Sequence, residues 1–129
     1  MANPNLVSYR IKNVRTAAIL TNGYVAGTVI SDVQDANQLI INADFTIGSL
    51  TDLQIKVEFS EDGVNYYQES FSAIAAGVST ETLGVHKIAA TGKHRIAIPI
   101  QCDKIKISAI GTGTVDSSSL AITAQVGVA

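Results

Sequence analysis

The chain has 129 residues, 47% of them hydrophobic and 16% charged, with a formal net charge of −2. That length suits one domain spanning residues 1–129 around one buried core, and the near-neutral balance argues against nucleic acid, whose capture is driven by phosphate charge. A single cysteine, Cys102, excludes an intrachain disulfide and a multi-cysteine metal site.

The opening Met1-Ala2-Asn3-Pro4-Asn5 lacks the basic region and apolar run of a signal peptide, and no stretch is long and apolar enough to span a bilayer. Synthesis in a cytoplasm, with no membrane partner, is the expectation. Val7, Tyr9 and Ile11 then alternate with Ser8, Arg10 and Lys12, which predicts a first strand or an extended arm over residues 1–13. Residues 16–20 and 24–30 flank Asn22-Gly23, the pair that best supplies two positive-φ positions, and so predict a tight hairpin with Leu20 facing Val25. The polar stretch 31–37 reads as a loop or a single helical turn.

Strands follow at 38–47, with Leu39, Ile41, Ala43, Phe45 and Ile47 on one face, and at 53–60, with Leu53, Ile55, Val57 and Phe59 set against Gln54, Lys56, Glu58 and Ser60. Gly63 suits a left-handed turn position and Asp62 a side-chain bond within the same turn, after which residues 66–71 return antiparallel. Residues 73–77 fit a short helix or a crossing between sheets. Strands at 82–88 and 95–100 bracket Ala90-Thr91-Gly92 as a further hairpin, and those at 104–110 and 120–126 flank a long polar hairpin loop, 111–119. Eight to ten short strands with turn chemistry at each break predict an all-β chain, an antiparallel β-sandwich or jelly-roll barrel.

Catalytic signatures are missing. Gly77-Val78-Ser79-Thr80-Glu81 starts like a nucleophile elbow but lacks the closing glycine, and Gly111 with Gly113 precedes no helix that would hold a phosphate. His86 and His94 would face each other across the hairpin at residue 90, yet two imidazoles fall short of the three or four ligands zinc takes. The carboxylates sit mostly in turns and form no EF-hand-like loop. With no tryptophan, and with Tyr66 and Tyr67 on opposite faces so that one of them belongs to the core, a sugar-stacking platform is at best a single ring. No enzyme, cofactor or metal site is expected.

Apolar residues on otherwise polar faces point to contacts with other chains. The candidates are Val7, Tyr9 and Ile11 in the N-terminal segment, Ile40 and Ile110 on strand faces, and Thr112 and Thr114 in the long loop. The competing reading for Ile40 and Ile110 is that both faces of their strands are covered within one molecule.

The run Val57-Glu58-Phe59-Ser60-Glu61-Asp62-Gly63-Val64-Asn65-Tyr66-Tyr67 resembles a hairpin of small virion proteins of tailed bacteriophages. The ending resembles the last hairpin of capsid decoration, or cement, proteins of the same kind: Lys104-Ile105-Lys106-Ile107-Ser108, a Gly/Thr/Ser loop, then Leu120-Ala121-Ile122-Thr123-Ala124. The likeness covers about half the chain and is one of style and order. It implies a jelly roll that assembles, usually as a homotrimer, on the outside of a phage head and clamps neighbouring copies of the major capsid protein. It carries no catalytic residues. The alternative is a receptor- or carbohydrate-binding sandwich of a phage fibre or tail, because the Asp-Gly turn with aromatics also occurs in discoidin-like and carbohydrate-binding domains.

Overall fold

In the computed structural model, which describes residues 10–128, the alternating runs are strands whose apolar sides face one another. Eleven strands form: β1 (Arg10–Ala18), β2 (Val25–Ala26), β3 (Gln38–Thr46), β4 (Leu50–Ser60), β5 (Tyr67–Gln68), β6 (Ser70–Ala75), β7 (Val78–Leu83), β8 (His86–Ile88), β9 (Gly92–Pro99), β10 (Lys104–Gly113) and β11 (Ser119–Gly127). One sheet has the order β1-β11-β3-β9; the second has β2-β10-β4-β5, with β8 also on β4; β6 and β7 make a separate two-stranded ribbon.

The pairing is nested. β1 pairs with β11, β2 with β10, β3 with β9 and β4 with β8, every pair antiparallel and successive pairs falling in alternate sheets. A long antiparallel hairpin wrapped around a barrel gives this order, and it is the wrapping of a jelly roll. β5, β6 and β7 lie between β4 and β8, at the tip of the folded hairpin.

Two long ladders carry the core. Along β4 and β10, Phe59, Val57, Ile55 and Leu53 sit opposite Ile105, Ile107, Ala109 and Gly111. Along β3 and β11, Phe45, Ala43, Ile41 and Leu39 sit opposite Leu120, Ile122, Ala124 and Val126. These side chains are buried between the sheets, except that Phe59 is partly buried and packs against the cluster. Val33 and Ala36 join the core from an irregular loop, held by bonds from Val33 N–H to Asp103 O at 3.1 Å and from Ala36 N–H to Val33 O at 3.0 Å. That last bond closes a single turn at residues 33–36, with no helix.

All three segments read as hairpins around residues 22, 90 and 115 are instead crossings between sheets. β1 and β2 lie in different sheets, as do β8 and β9, and β10 and β11. Asn22 is used for its side chain: its amide donates to Gly111 O at 2.9 Å and Gly113 O at 3.0 Å, clipping the crossing onto the end of β10. The two-residue turn with positive φ at both positions is at Ala76 (52°) and Gly77 (77°), joining β6 to β7 where a short helix or a crossing was expected.

Phe45 is the largest fully buried side chain. Phe45→Ala is therefore expected to destabilise the fold by about 3–5 kcal/mol, and Phe59→Ala by less, since part of that ring already meets water. Urea denaturation of the two variants measures the order; equal losses would contradict the burial described.

Candidate interaction surface

Each end of the barrel is a set of connections tied together by hydrogen bonds. At one end Ile47 N–H donates to Thr91 Oγ1 at 2.9 Å and Leu20 N–H to Ser118 Oγ at 3.1 Å, which gathers the crossings near residues 20, 47, 90 and 117. At the other, Asn37 N–H donates to Gly127 O at 3.0 Å, Asp103 N–H to Ser60 O at 3.2 Å, and Arg10 pairs with Asp35 at 2.8 Å.

Against this frame the candidate contact residues do not form one patch. Val7 and Tyr9 lie outside the described residues. Ile11 is 69% exposed on the edge strand β1, near the Arg10 end, whereas Thr112 and Thr114 are exposed at the opposite end. Ile110 is partly buried on the outer face of β10, opposite Gln54. Ile40 is not a surface residue: only 4% exposed, it sits on a central strand with Gln125 of β11 and Ala97 of β9 on either side, so the single chain covers it.

The outer face of the second sheet is laced with charge and carries Tyr24 and Tyr66. Lys56 Nζ is 3.6 Å from Glu58 and 4.5 Å from the centre of the Tyr24 ring; Lys106 Nζ lies 4.0 Å above Tyr66. Lys87 Nζ is 3.6 Å from the buried carboxylate of Asp52. Neither Tyr66 nor Tyr67 belongs to the core, contrary to the expectation from their alternation: Tyr66 is partly buried beneath Lys106 and Tyr67 is exposed. β5 spans only two residues, so alternation there has no second sheet to face.

The two histidines are separated. His86 Nε2 meets Glu69 Oε1 at 2.8 Å, while His94 Nε2–H donates to Ala90 O at 2.9 Å from the other sheet. Among the described residues no three His, Cys, Asp or Glu side chains converge as metal ligands would. A shallow depression of about 390 Å³ on the outer face of the first sheet is lined by Asn42, Asp44, Lys93, His94, Arg95 and Thr123, a mixture of both charge signs with no buried reactive group. Burial raises the Cys102 thiol to about 11, so it stays protonated and unreactive at neutral pH.

What the sequence did not reveal is the ribbon. Every residue of β6 and β7 is exposed, and the ribbon carries large apolar side chains: Phe71 at 48%, Val78 at 63%, Leu83 at 66% and Ile74 at 77%. The register puts Phe71, Ala73, Ala75, Val78, Thr80 and Thr82 on one face, which holds no charge. On the other face the lone carboxylate, Glu81, accepts from Ser70, Ser72 and Ser79, the shortest bond being 2.6 Å from Ser72 Oγ.

The base of the ribbon is fixed to the barrel. Glu69 N–H donates to Val57 O of β4 and Gly84 N–H to Glu69 O, both at 2.9 Å, and Gln68 Nε2 donates to Gly84 O at 3.0 Å. The Phe71 ring occupies the space that a Cβ at residue 84 would take, so a side chain there would have to displace the ring, which meets His86 edge-on at 6.1 Å between centres. One face of this exposed element is apolar and free of charge and its base is anchored, a combination suited to contact with another protein surface.

No protein-family model and no curated protein sequence matches the chain. Among solved structures, a chain of the Bacillus endospore appendages, described as a novel family of disulfide-linked pili, aligns with a TM-score of 0.48 at 9% identity, covering 100% of this chain and 96% of its own. A chain of infectious bursal disease virus, Gx strain, aligns with a TM-score of 0.53 at 9% identity, covering 99% of this chain and 36% of that one. The present chain thus spans about a third of the viral chain it matches. At that identity the likeness to the viral chain is one of fold.

The turn between β4 and β5 yields a pH prediction. Backbone N–H groups of Asn65 and Val64, both at 2.8 Å, with the side chains of Asn65 and Ser60, hold the Asp62 carboxyl well below the usual carboxylate range. Gly63, at a φ of 77°, supplies the left-handed step that lets these donors converge. A depressed carboxyl stabilises the fold above its unfolded pKa of about 4, and that contribution fades as pH falls further toward the folded value. Asp62→Ala is expected to lower the melting temperature at pH 7, with the gap to the parent chain narrowing below about pH 4. Thermal melts followed by circular dichroism at pH 7, 4 and 2 measure this; a gap independent of pH would assign the loss to turn geometry alone.

Proposed function

We propose that the chain is a structural virion protein, a capsid decoration or cement protein that binds the outside of a phage head and stabilises contacts between capsomers. The observation that carries this reading is the ribbon: a jelly roll with a closed core bears an exposed hairpin with large apolar side chains and one uncharged face, which no other described element covers. The fold is shared with a chain of a virus, and the Asp-Gly hairpin resembles one in phage virion proteins; both support the reading, whereas the ending, likened to a final hairpin, is a crossing between sheets and lends it nothing.

In this proposal the major capsid protein is the partner and the virion surface the location. The proposed contacts are Ile11 at one barrel end and Thr112 and Thr114 at the other, together with the uncharged face of the ribbon. A decorator gains occupancy from several weak contacts acting together, so separated contact points are compatible with one role.

The test is reconstitution on heads that lack the protein. Added full-length chain should bind them and raise the temperature at which they break. The double variant Ile11→Glu, Thr112→Arg alters two exposed side chains and should keep the fold while weakening binding about tenfold or more, because an uncompensated charge is placed in a contact at each end. Full binding by this variant would move the capsid contact elsewhere. No binding of the parent chain to heads, with binding to an isolated glycan, would replace the proposal by the receptor- or carbohydrate-binding alternative.

A further inference from the structure

Sheet edges expose a row of unpaired N–H and C=O groups, and proteins protect them with charge, proline, bulges or shortness. Most edges here are protected. β1 carries Arg10, Lys12 and Arg15 and two breaks in register, and β9 carries Lys93, Arg95 and Pro99. β2 and β5 span two residues each and β8 three. In the ribbon, β7 has Glu81 at its middle. β6, with the sequence Ser70-Phe71-Ser72-Ala73-Ile74-Ala75, has six residues and none of these devices.

A lone two-stranded ribbon is marginal in water, and this one is exposed on both faces. Its closing pair is Ala75 with Val78 around a two-residue turn, so residues 75, 73 and 71 exchange bonds with β7. Ser70, Ser72 and Ile74 therefore turn their backbone groups to the open edge.

We propose that this edge pairs with β6 of a second copy of the chain, antiparallel about a two-fold axis through Ala73, making a continuous four-stranded sheet from two ribbons. Two features choose a second copy as the occupant. In that register bulk faces smallness on both sides of the sheet: Phe71 lies opposite Ala75 of the other copy and Ile74 opposite Ser72, so one sequence complements itself, as an isologous contact requires. Charge selects the edge as well, because the same operation about Thr80 on β7 would set the two Glu81 side chains as diagonal neighbours on one face, whereas β6 brings no charged side chains together. The uncharged face of the ribbon then doubles in extent. The pairing deepens the reading of the chain as an assembling structural protein, but it is a property of the free protein and is measured without particles, so either idea can fail alone.

Ala73 and its symmetry mate form a non-hydrogen-bonded pair in this arrangement, with Cα atoms about 4.5 Å apart, within reach of a disulfide. Ala73→Cys should oxidise to a covalent dimer at micromolar concentration, while Thr80→Cys, its neighbour on β7, should not; the buried Cys102 leaves the parent chain as a clean control. Sedimentation of the parent should give twice the chain mass at high concentration. Ala73→Lys, which sets like charges opposite each other at an exposed position, should raise the dissociation constant about tenfold or more with an unchanged circular dichroism spectrum. A monomer at all concentrations, a mass of three chains that survives Ala73→Lys, or cross-linking through Thr80→Cys in preference to Ala73→Cys would each overturn the proposal.

Discussion

The structure depends on the facing of two ladders, β4 with β10 and β3 with β11. Each supplies a row of aliphatic side chains at every second residue, and neither row has anywhere else to go but against the other. Pairing between the first and last parts of the chain fixes everything else. Once β3 has found β11 and β4 has found β10, the segments between them must cross from sheet to sheet, and the nested order follows. Nearly all of the stabilising contacts are therefore between residues distant in sequence, a topology whose loop-closure cost delays folding relative to helical domains of the same size.

This dependence explains what was legible in the sequence. Leu53, Ile55 and Val57 announce a half-buried strand because period-two alternation records which face is dry, and burial follows the alternation along both central ladders. The connections were misread because hairpin signals report only local backbone preference. Asn22-Gly23 is a strong turn pair, yet its surroundings route the chain between sheets and employ the asparagine as a clip on β10. Conversely, Ala76 adopts a left-handed backbone that alanine disfavours by roughly 1–2 kcal/mol, so the tight hairpin between β6 and β7 carries no complete sequence signal. Val33 and Ala36 were equally hidden, since a core residue in a loop has no period to betray it.

The candidate contacts fared according to how far each depended on neighbours. Ile40 alternates with Leu39 and Ile41 and so was rightly placed on the outer side, but outer does not mean wet when a strand has partners on both flanks. Ile11, on an edge strand, has a partner on one flank and stays exposed. The ribbon was not legible because the alanines at 73, 75 and 76 fit a short helix or a crossing between sheets as well as a hairpin. Only the topology shows that no second sheet comes to cover it.

The position of that ribbon is itself a consequence of the wrap. A nested antiparallel chain has one tip, between β4 and β8, where a segment can be added without disturbing any ladder. The ribbon touches the barrel through its base, around Glu69, Phe71, Gly84 and His86, and its strands bond only to each other. Substitutions beyond the base therefore have little purchase on the core. Stability resides in the two ladders, so the insert can vary with little effect on them, the arrangement by which one superfold carries many different surfaces.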